Sequence, residues 1–247
     1  MGTERIYEAV MRVAAARSSR VPFQTHLDIG PGAGRLVTLF QQRFGLQSTA
    51  CDYTDKLFKL PGRKLDIVDL NRQPLPYGEG AFDLVTASEV VEHLERYRAV
   101  LRDIHRVLKP GGLCILTTPN ILNLNSRLRF LWFGFWNLFG PLPVNNSALY
   151  STGGHINPVS CFYLGHALRD AGFTELELTV DKYQRSSIPK LVLLFVPIKI
   201  CGGLAWRTEV RKYRTINADN APFVKSMNSV PMLLGRTLVV SARKPIE

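Results

Sequence analysis

Cysteine is scarce in this 247-residue chain, and acids are outnumbered. Cys51, Cys114, Cys161 and Cys201 lie far apart and form no C-x-x-C pair, which excludes a zinc ribbon and offers no disulfide framework. Three of them sit in apolar patterns and are expected to serve packing in a reducing compartment. No internal repeat or low-complexity tract is present. Met1 to Arg20 mixes charges into an Ala-rich helical pattern and lacks the apolar centre of a secretory signal, so a helix packed on the domain edge is expected there. With 31 Lys and Arg against 20 Asp and Glu, the net charge is +11, a field that draws polyanions such as nucleic acid or anionic lipid. A length of 247 residues and 46% apolar content fit one decorated α/β domain spanning 1–247.

What is present is concentrated in His26-Leu-Asp-Ile-Gly-Pro-Gly-Ala-Gly-Arg35. An apolar run carries an acid, Asp28, two residues ahead of three glycines separated by single residues, Gly30, Gly32 and Gly34. Glycine accepts positive φ and has no Cβ, so the backbone can turn sharply against a ligand here, with Asp28 at the tip of the preceding strand. Dinucleotide enzymes use G-x-G-x-x-G with an acid about 20 residues later; in this chain the third glycine arrives one residue early. Asp28-x-Gly30-x-Gly32-x-Gly34 instead resembles motif I of the class I S-adenosylmethionine (SAM) dependent methyltransferases.

Further signals, in the order that fold requires, extend the resemblance over roughly residues 20–180. Gln47 to Cys51 predicts a second strand ending at Asp52. Arg63 to Val68 predicts a third, ending at Asp69 ahead of a turn rich in Pro and Gly. Ala81 to Ser88 predicts a fourth strand, and Leu108 to Thr117 a helix end, a turn and a fifth strand. An acid at a strand end is often only a turn former or helix cap. Ligands in open α/β sheets nevertheless sit at the carboxyl ends of the strands, where Asp28, Asp52 and Asp69 all fall. The resemblance implies that Asp28, Gly30, Gly32 and Gly34 hold the methionine end of SAM, Asp52 the ribose hydroxyls, and Asp69 with Leu70 the adenine, with Ser88 completing the cofactor set.

A helix over Pro158 to Ala171, a sixth strand near Phe173 to Val180 and a last strand over Arg236 to Ala242 complete a Rossmann-like, mostly parallel seven-stranded sheet with helices on both faces. By the same resemblance the last strand runs antiparallel. The core is thus about 20–180 plus 236–242, with two insertions at about 119–150 and 184–232. The first crowds Phe130, Trp132, Phe133, Phe135, Trp136 and Phe139 beside Arg127 and Arg129. It is either core packing or a lid over an apolar or ring-shaped acceptor. The second carries an apolar segment over 188–206 that Pro197, Lys199 and two glycines interrupt, leaving pieces shorter than the about 20 residues that span a bilayer. Arg207, Arg211, Lys212 and Arg214 follow it, so the alternatives are a helix lying in an anionic membrane surface or a buried helix capped by solvated charges.

A hydroxyl acceptor needs its proton removed. A helix opening at Glu89 would set Glu89, Glu92 and His93 on one face. Glu89-x-x-Glu92-His93 with a distant His155 resembles the divalent-metal site of small-RNA 2′-O-methyltransferases, and a comparable motif occurs in quinone-pathway O-methyltransferases. By that resemblance Glu89, Glu92, His93 and His155 would hold a Mg or Mn ion that lowers the acceptor hydroxyl's pKa. Without metal, His155 or His93 serves as general base, with Glu89 beside it. Gly153-Gly154-His155 is either a plain turn that starts a helix or a glycine pair that lets a ligand approach.

The resulting expectation is a cytoplasmic, peripherally membrane-associated SAM-dependent O-methyltransferase acting on a small or lipid-linked acceptor such as a sugar, a glycolipid or a phenol or quinone precursor. RNA 2′-O-methylation is the alternative reaction, although no recognised nucleic-acid module appears and the fourth strand lacks the Asn/Asp-Pro-Pro-Tyr/Phe ending of base-amine methylases. A SAM-binding scaffold without turnover is the alternative from a different class.

Overall fold

Adjacent residues on each central strand face opposite ways, and this alternation builds two cores on one sheet. The computed structural model describes residues 3–18, 22–142 and 154–246. Its strands are β1 (Thr25–Ile29), β2 (Gln47–Asp52), β3 (Asp66–Ile67), β4 (Phe82–Ser88), β5 (Leu108–Pro119), β6 (Thr174–Val180) and β7 (Thr237–Arg243). They form one sheet in the order β3-β2-β1-β4-β5-β7-β6. Pairings among β1 to β5 are parallel, and β7 runs antiparallel between β5 and β6. This is the expected Rossmann-like architecture.

The helices are α1 (Glu4–Arg17), α2 (Arg35–Phe44), α3 (Tyr97–Val107), α4 (Leu124–Phe133), α5 (Cys161–Asp170), α6 (Ile188–Thr208), α7 (Ala221–Ser226) and α8 (Val230–Leu234). One core joins Leu84, Ile115 and Val239 to Ile6 and Val10 of α1 and Phe40 of α2. The other joins Val85, Leu116 and Val240 to Leu101 and Ile104 of α3 and Leu164 of α5. α1 therefore covers a sheet face instead of the domain edge. Its buried Arg17 reaches Glu177 at 2.5 Å and Glu175 at 3.2 Å on β6.

Several boundaries differ from expectation. β3 is two residues long because it lies at the sheet edge and pairs only with β2. No turn separates α3 from β5; pairing instead jumps from Phe82–Leu108 to Leu84–Leu113, so Lys109 to Gly112 bulge out of the ladder. α5 starts at Cys161, where Ser160 caps it by accepting from Tyr163 N–H. Cys51, Cys114 and Cys161 are buried as expected, and Cys201 is exposed.

The apolar segment at 188–206 departs most. Pro197, Lys199 and the glycines do not break it: α6 is one helix, and with its flanking turns Arg185–Tyr213 is long and apolar enough by composition to cross a membrane. None of its residues is buried, so the buried-helix alternative does not hold.

Candidate functional site

The sheet order reverses between β1 and β4, and a cleft of about 250 Å³ opens at the carboxyl ends of the strands beside that reversal. Asp28, Gly30, Gly32, Asp52, Asp69, Leu70, Ser88, Glu89 and His93 all line it.

The glycine turn divides the work. Gly30 has φ +68, and a Cβ there would lie 2.5 Å from Val90 Cγ2. Gly34 does not line the cleft: it has φ +85, precedes the first residue of α2, and a Cβ on it would meet the Leu60 side chain at 2.5 Å. Gly32 has φ +53 with nothing within 4 Å of a Cβ position, so its outer side is open for a ligand.

Asp28 is fully buried. One oxygen, Oδ1, accepts from Thr86 Oγ1 at 2.7 Å, and Oδ2 has no hydrogen-bond partner among the described residues. Burial pushes its pKa up to about 7, opposed by the Thr86 hydrogen bond. Because Thr86 donates to Asp28, it accepts from His26 Nε2 at 2.8 Å, which leaves His26 Nδ1 to accept from Ser48 Oγ at 3.0 Å. Burial pushes His26 down to about 3, so the ring stays neutral. His26, Ser48 and Thr86 escaped the sequence reading; the one signal was a histidine and two hydroxyls inside strand patterns, and only strand register brings them together.

Asp52 ends β2 half-buried, with Oδ1 accepting from Tyr53 N–H at 2.7 Å. Burial raises its pKa, opposed by the backbone N–H groups of Tyr53 and Thr54. Asp69 lines the cleft but is committed to its own turn: Oδ1 accepts from Asn71 N–H at 3.0 Å and Oδ2 pairs with Arg72 at 3.3 Å. The turn-former reading therefore describes its side chain, while Leu70 contributes apolar wall. Ser88 Oγ lies 3.0 Å from Thr117 Oγ1.

After β4 the chain does not open a helix at Glu89. Glu89 has φ +58, in the left-handed region, and a short 3-10 turn follows at Val91–His93. Glu89, Glu92 and His93 consequently share no helix face. Thr117 holds Glu89, its Oγ1 lying 3.2 Å from Glu89 Oε1, with Glu89 N–H donating to Thr117 O at 3.1 Å. Glu92 turns inward, and neither of its carboxylate oxygens has a hydrogen-bond partner among the described residues. Burial and the nearby Glu89 charge hold its pKa well above the ordinary carboxylate range.

The Glu92 carbonyl accepts from Ile156 and Asn157 N–H at 2.9 and 3.0 Å, which draws the 154–157 segment against the turn. His93 Nδ1 donates to Gly154 O at 3.0 Å, fixing the tautomer and leaving Nε2 with a lone pair. The His155 ring stands edge-on to His93, 4.8 Å between centroids, with Phe139 on another side at 5.3 Å. Burial lowers both imidazole pKa values, that of His155 to about 4.

Glu92, His93 and His155 offer ligand atoms within 4.8 Å of one another; of the four expected metal ligands, Glu89 stands outside this group. Of these three, His93 lines the cofactor cleft, whereas Glu92 and His155 do not. Gly153 and residues 143–150 of the first insertion lie outside the described residues. Within the described part, Phe139 is buried and Trp136 stacks on Phe130 at 4.3 Å, while Leu131, Trp132 and Phe133 are exposed.

Comparisons with known proteins agree with this geometry. A family model described as a methyltransferase domain matches residues 3–178. A ubiquinone/menaquinone biosynthesis C-methyltransferase of Desulfotalea psychrophila is 26% identical over 161 residues, 61% of this chain and 65% of that protein. A ubiquinone biosynthesis O-methyltransferase of Caulobacter vibrioides is 33% identical over 123 residues, 46% of this chain and 48% of that one. The chain thus spans about half to two thirds of these relatives. A SAM-dependent methyltransferase structure from Archaeoglobus fulgidus superimposes with a TM-score of 0.60 at 16% identity, covering 98% of this chain and 94% of that one. The chain belongs to the methyltransferase-domain family, the class I SAM-dependent methyltransferases.

Proposed function

We propose that this protein transfers a methyl group from SAM to a hydroxyl oxygen of a small or lipid-linked acceptor, with His93 as the base. The observation that carries the reading is the His93 ring, which lines the cleft with Nδ1 committed to Gly154 and Nε2 left with a lone pair. A lowered pKa keeps that imidazole neutral at physiological pH, as a base requires.

The residues fit the cofactor. Asp28 Oδ2 is a buried acceptor without a partner among the described residues, suited to the cofactor's ammonium group; Asp52 can accept from both ribose hydroxyls; and the open side of Gly32 admits a ligand against the backbone. When bound, SAM supplies a methyl group on a positively charged sulfur and leaves as S-adenosylhomocysteine. The chain's own task is alignment: the acceptor oxygen, methyl and sulfur must lie in line. As the oxygen–methyl bond forms, His93 Nε2 takes the hydroxyl proton and later releases it to water. His155 packs edge-on against His93, and Phe139 in turn packs on His155, which steadies the His93 ring. The similarity to a quinone-pathway O-methyltransferase supports a hydroxyl acceptor of phenolic type, and the relative that methylates carbon marks the competing product.

The Glu92 oxygens, without partners among the described residues, favour a second reading, in which Glu92, His93 and His155 hold a divalent ion. Two imidazoles and one carboxylate suit Mn better than Mg, which takes oxygen ligands. Such an ion would polarise an acceptor hydroxyl.

The test compares wild type with His93→Gln on phenolic quinone precursors and lipid extracts, with SAM affinity measured separately. The reading expects about a 100-fold loss of rate or more, with SAM affinity nearly unchanged and an oxygen-methylated product. An unchanged rate, or a carbon-methylated product, refutes it. Activity abolished by chelation and restored by Mn supports the second reading.

A further inference from the structure

Along α6 the half-buried residues Leu191, Leu194, Ile198, Gly202 and Trp206 recur at three- and four-residue spacing, and Ser187 just before the helix is buried. A narrow stripe of the helix therefore lies against the domain along its whole length. Tethers hold it there: Gln184 N–H donates to Leu234 O at 2.8 Å, Lys190 donates to Asn125 of α4, a Cβ on Gly202 would lie 3.3 Å from Asn228, and Lys225 sits 5.7 Å from the Trp206 ring. The opposite stripe is apolar and faces outward. Val192 is 77% exposed and Leu193 76%, continued by Val196, Ile200 and Leu204. α4 adds Leu131 at 76% and Trp132 at 67%. From Arg185 to Arg214 seven Lys and Arg stand against a single acid, Glu209.

We propose that the outer faces of α6 and α4 dock on an anionic lipid bilayer, with α6 lying in the plane of the interface. An exposed apolar stripe beside a basic cluster is what such a surface binds. Crossing is opposed by the tethers at both ends of the helix and by Lys199, whose ammonium, 5.4 Å from the Phe195 ring centroid, would sit near the bilayer midplane; at an interface the side chain can snorkel to water. A second copy of the chain is opposed by charge, because a two-fold contact through α6 would bring together two surfaces that both carry net positive charge. β5 and β6 both run parallel to β4, so α4 and α6 leave the sheet at the edge where the cofactor cleft opens. Docking would therefore turn the site toward lipid. That last link rests on the reaction proposed above, whereas docking does not, and it is measured without cofactor or acceptor.

The full chain is floated with phosphatidylcholine vesicles, with and without phosphatidylglycerol. The expected result is binding to the anionic vesicles at least about tenfold tighter than to neutral ones, weakening with salt. Val192→Ser with Val196→Ser and Leu204→Ser removes vesicle binding while the melting temperature and S-adenosylhomocysteine affinity hold. Arg211→Gln and Lys212→Gln each weaken binding to anionic vesicles by about fivefold. Nitroxide labels at Leu193→Cys and Leu204→Cys, on Cys201→Ser, report equal depth for a helix in the plane. Unequal depths would mean that α6 crosses. No binding to either vesicle, together with a dimer that the triple Ser variant dissociates, would assign the face to a second copy; both results overturn the proposal.

Discussion

Thr86 donates its hydroxyl to Asp28 across the β1–β4 pair at 2.7 Å, and this hydrogen bond fixes which oxygen of the cofactor-site acid stays available. The relay behind it, from Ser48 through His26, is buried and neutral, so Asp28 receives a hydrogen bond but no compensating charge.

The cost of that arrangement is pH-dependent. With a folded pKa of about 7 against an ordinary 3.8, folded Asp28 keeps a proton that the unfolded chain has lost. Stability therefore falls as pH rises from the ordinary carboxylate range through about 7, and the full penalty, on the order of 4 kcal/mol at most, applies above it. Asp28→Asn should raise the melting temperature of the ligand-free protein at pH 8 relative to wild type and leave it little changed at pH 4. The same variant should lose SAM affinity by tenfold or more. Thermal melts at the two pH values and a SAM titration check both halves.

Two glycines of the same turn should respond differently to one methyl group. Gly34→Ala meets Leu60 as well as positive φ, and a stability loss of about 1–3 kcal/mol is expected. Gly32→Ala has room for its Cβ, so the expected cost is only about 1 kcal/mol for the backbone, while SAM affinity collapses. Denaturant midpoints beside SAM titrations separate the two.

His93 should shape the pH–rate profile. A lowered imidazole pKa means the base is already unprotonated at neutral pH. The rate should be flat from pH 7 upward and fall only below the ordinary imidazole range, and His93→Gln should abolish that acid limb. A limb centred above pH 7 would point to a different group.

What the sequence disclosed was what local spacing controls. The glycine turn, the acids near the ends of β1 and β2, and the helical pattern before Gly172 that became α5 each depend on a few neighbouring residues. The Asp28–Thr86–His26 relay depends on a register between β1 and β4, 58 residues apart at Asp28 and Thr86, which spacing cannot supply. The shared face of Glu89, Glu92 and His93 failed because tertiary contacts to Thr117 hold Glu89 at positive φ, where a helix cannot continue. α6 was misjudged as broken because a helix proline removes only one ladder bond, at about 3 kcal/mol, and the surrounding Leu, Val and Ile continue past it.

Arg17 offers a check on the fold itself. Its buried guanidinium ties α1 to the edge strand β6 through the Glu175 carbonyl and two half-exposed to exposed carboxylates. Arg17→Ala should cost about 2 kcal/mol, mostly from lost hydrogen bonds to the carbonyl, since the carboxylates are screened by water. Chemical denaturation measures it, with SAM affinity expected to hold.

Calorimetric titration of S-adenosylhomocysteine into wild type and Asp52→Ala is the most direct measurement. Binding by the wild type, weakened at least tenfold in the variant, is the expected result. Absence of binding by the folded wild type would contradict the assignment of the cleft between Gly32 and Asp52 to a nucleoside cofactor, and with it the proposed methyl transfer.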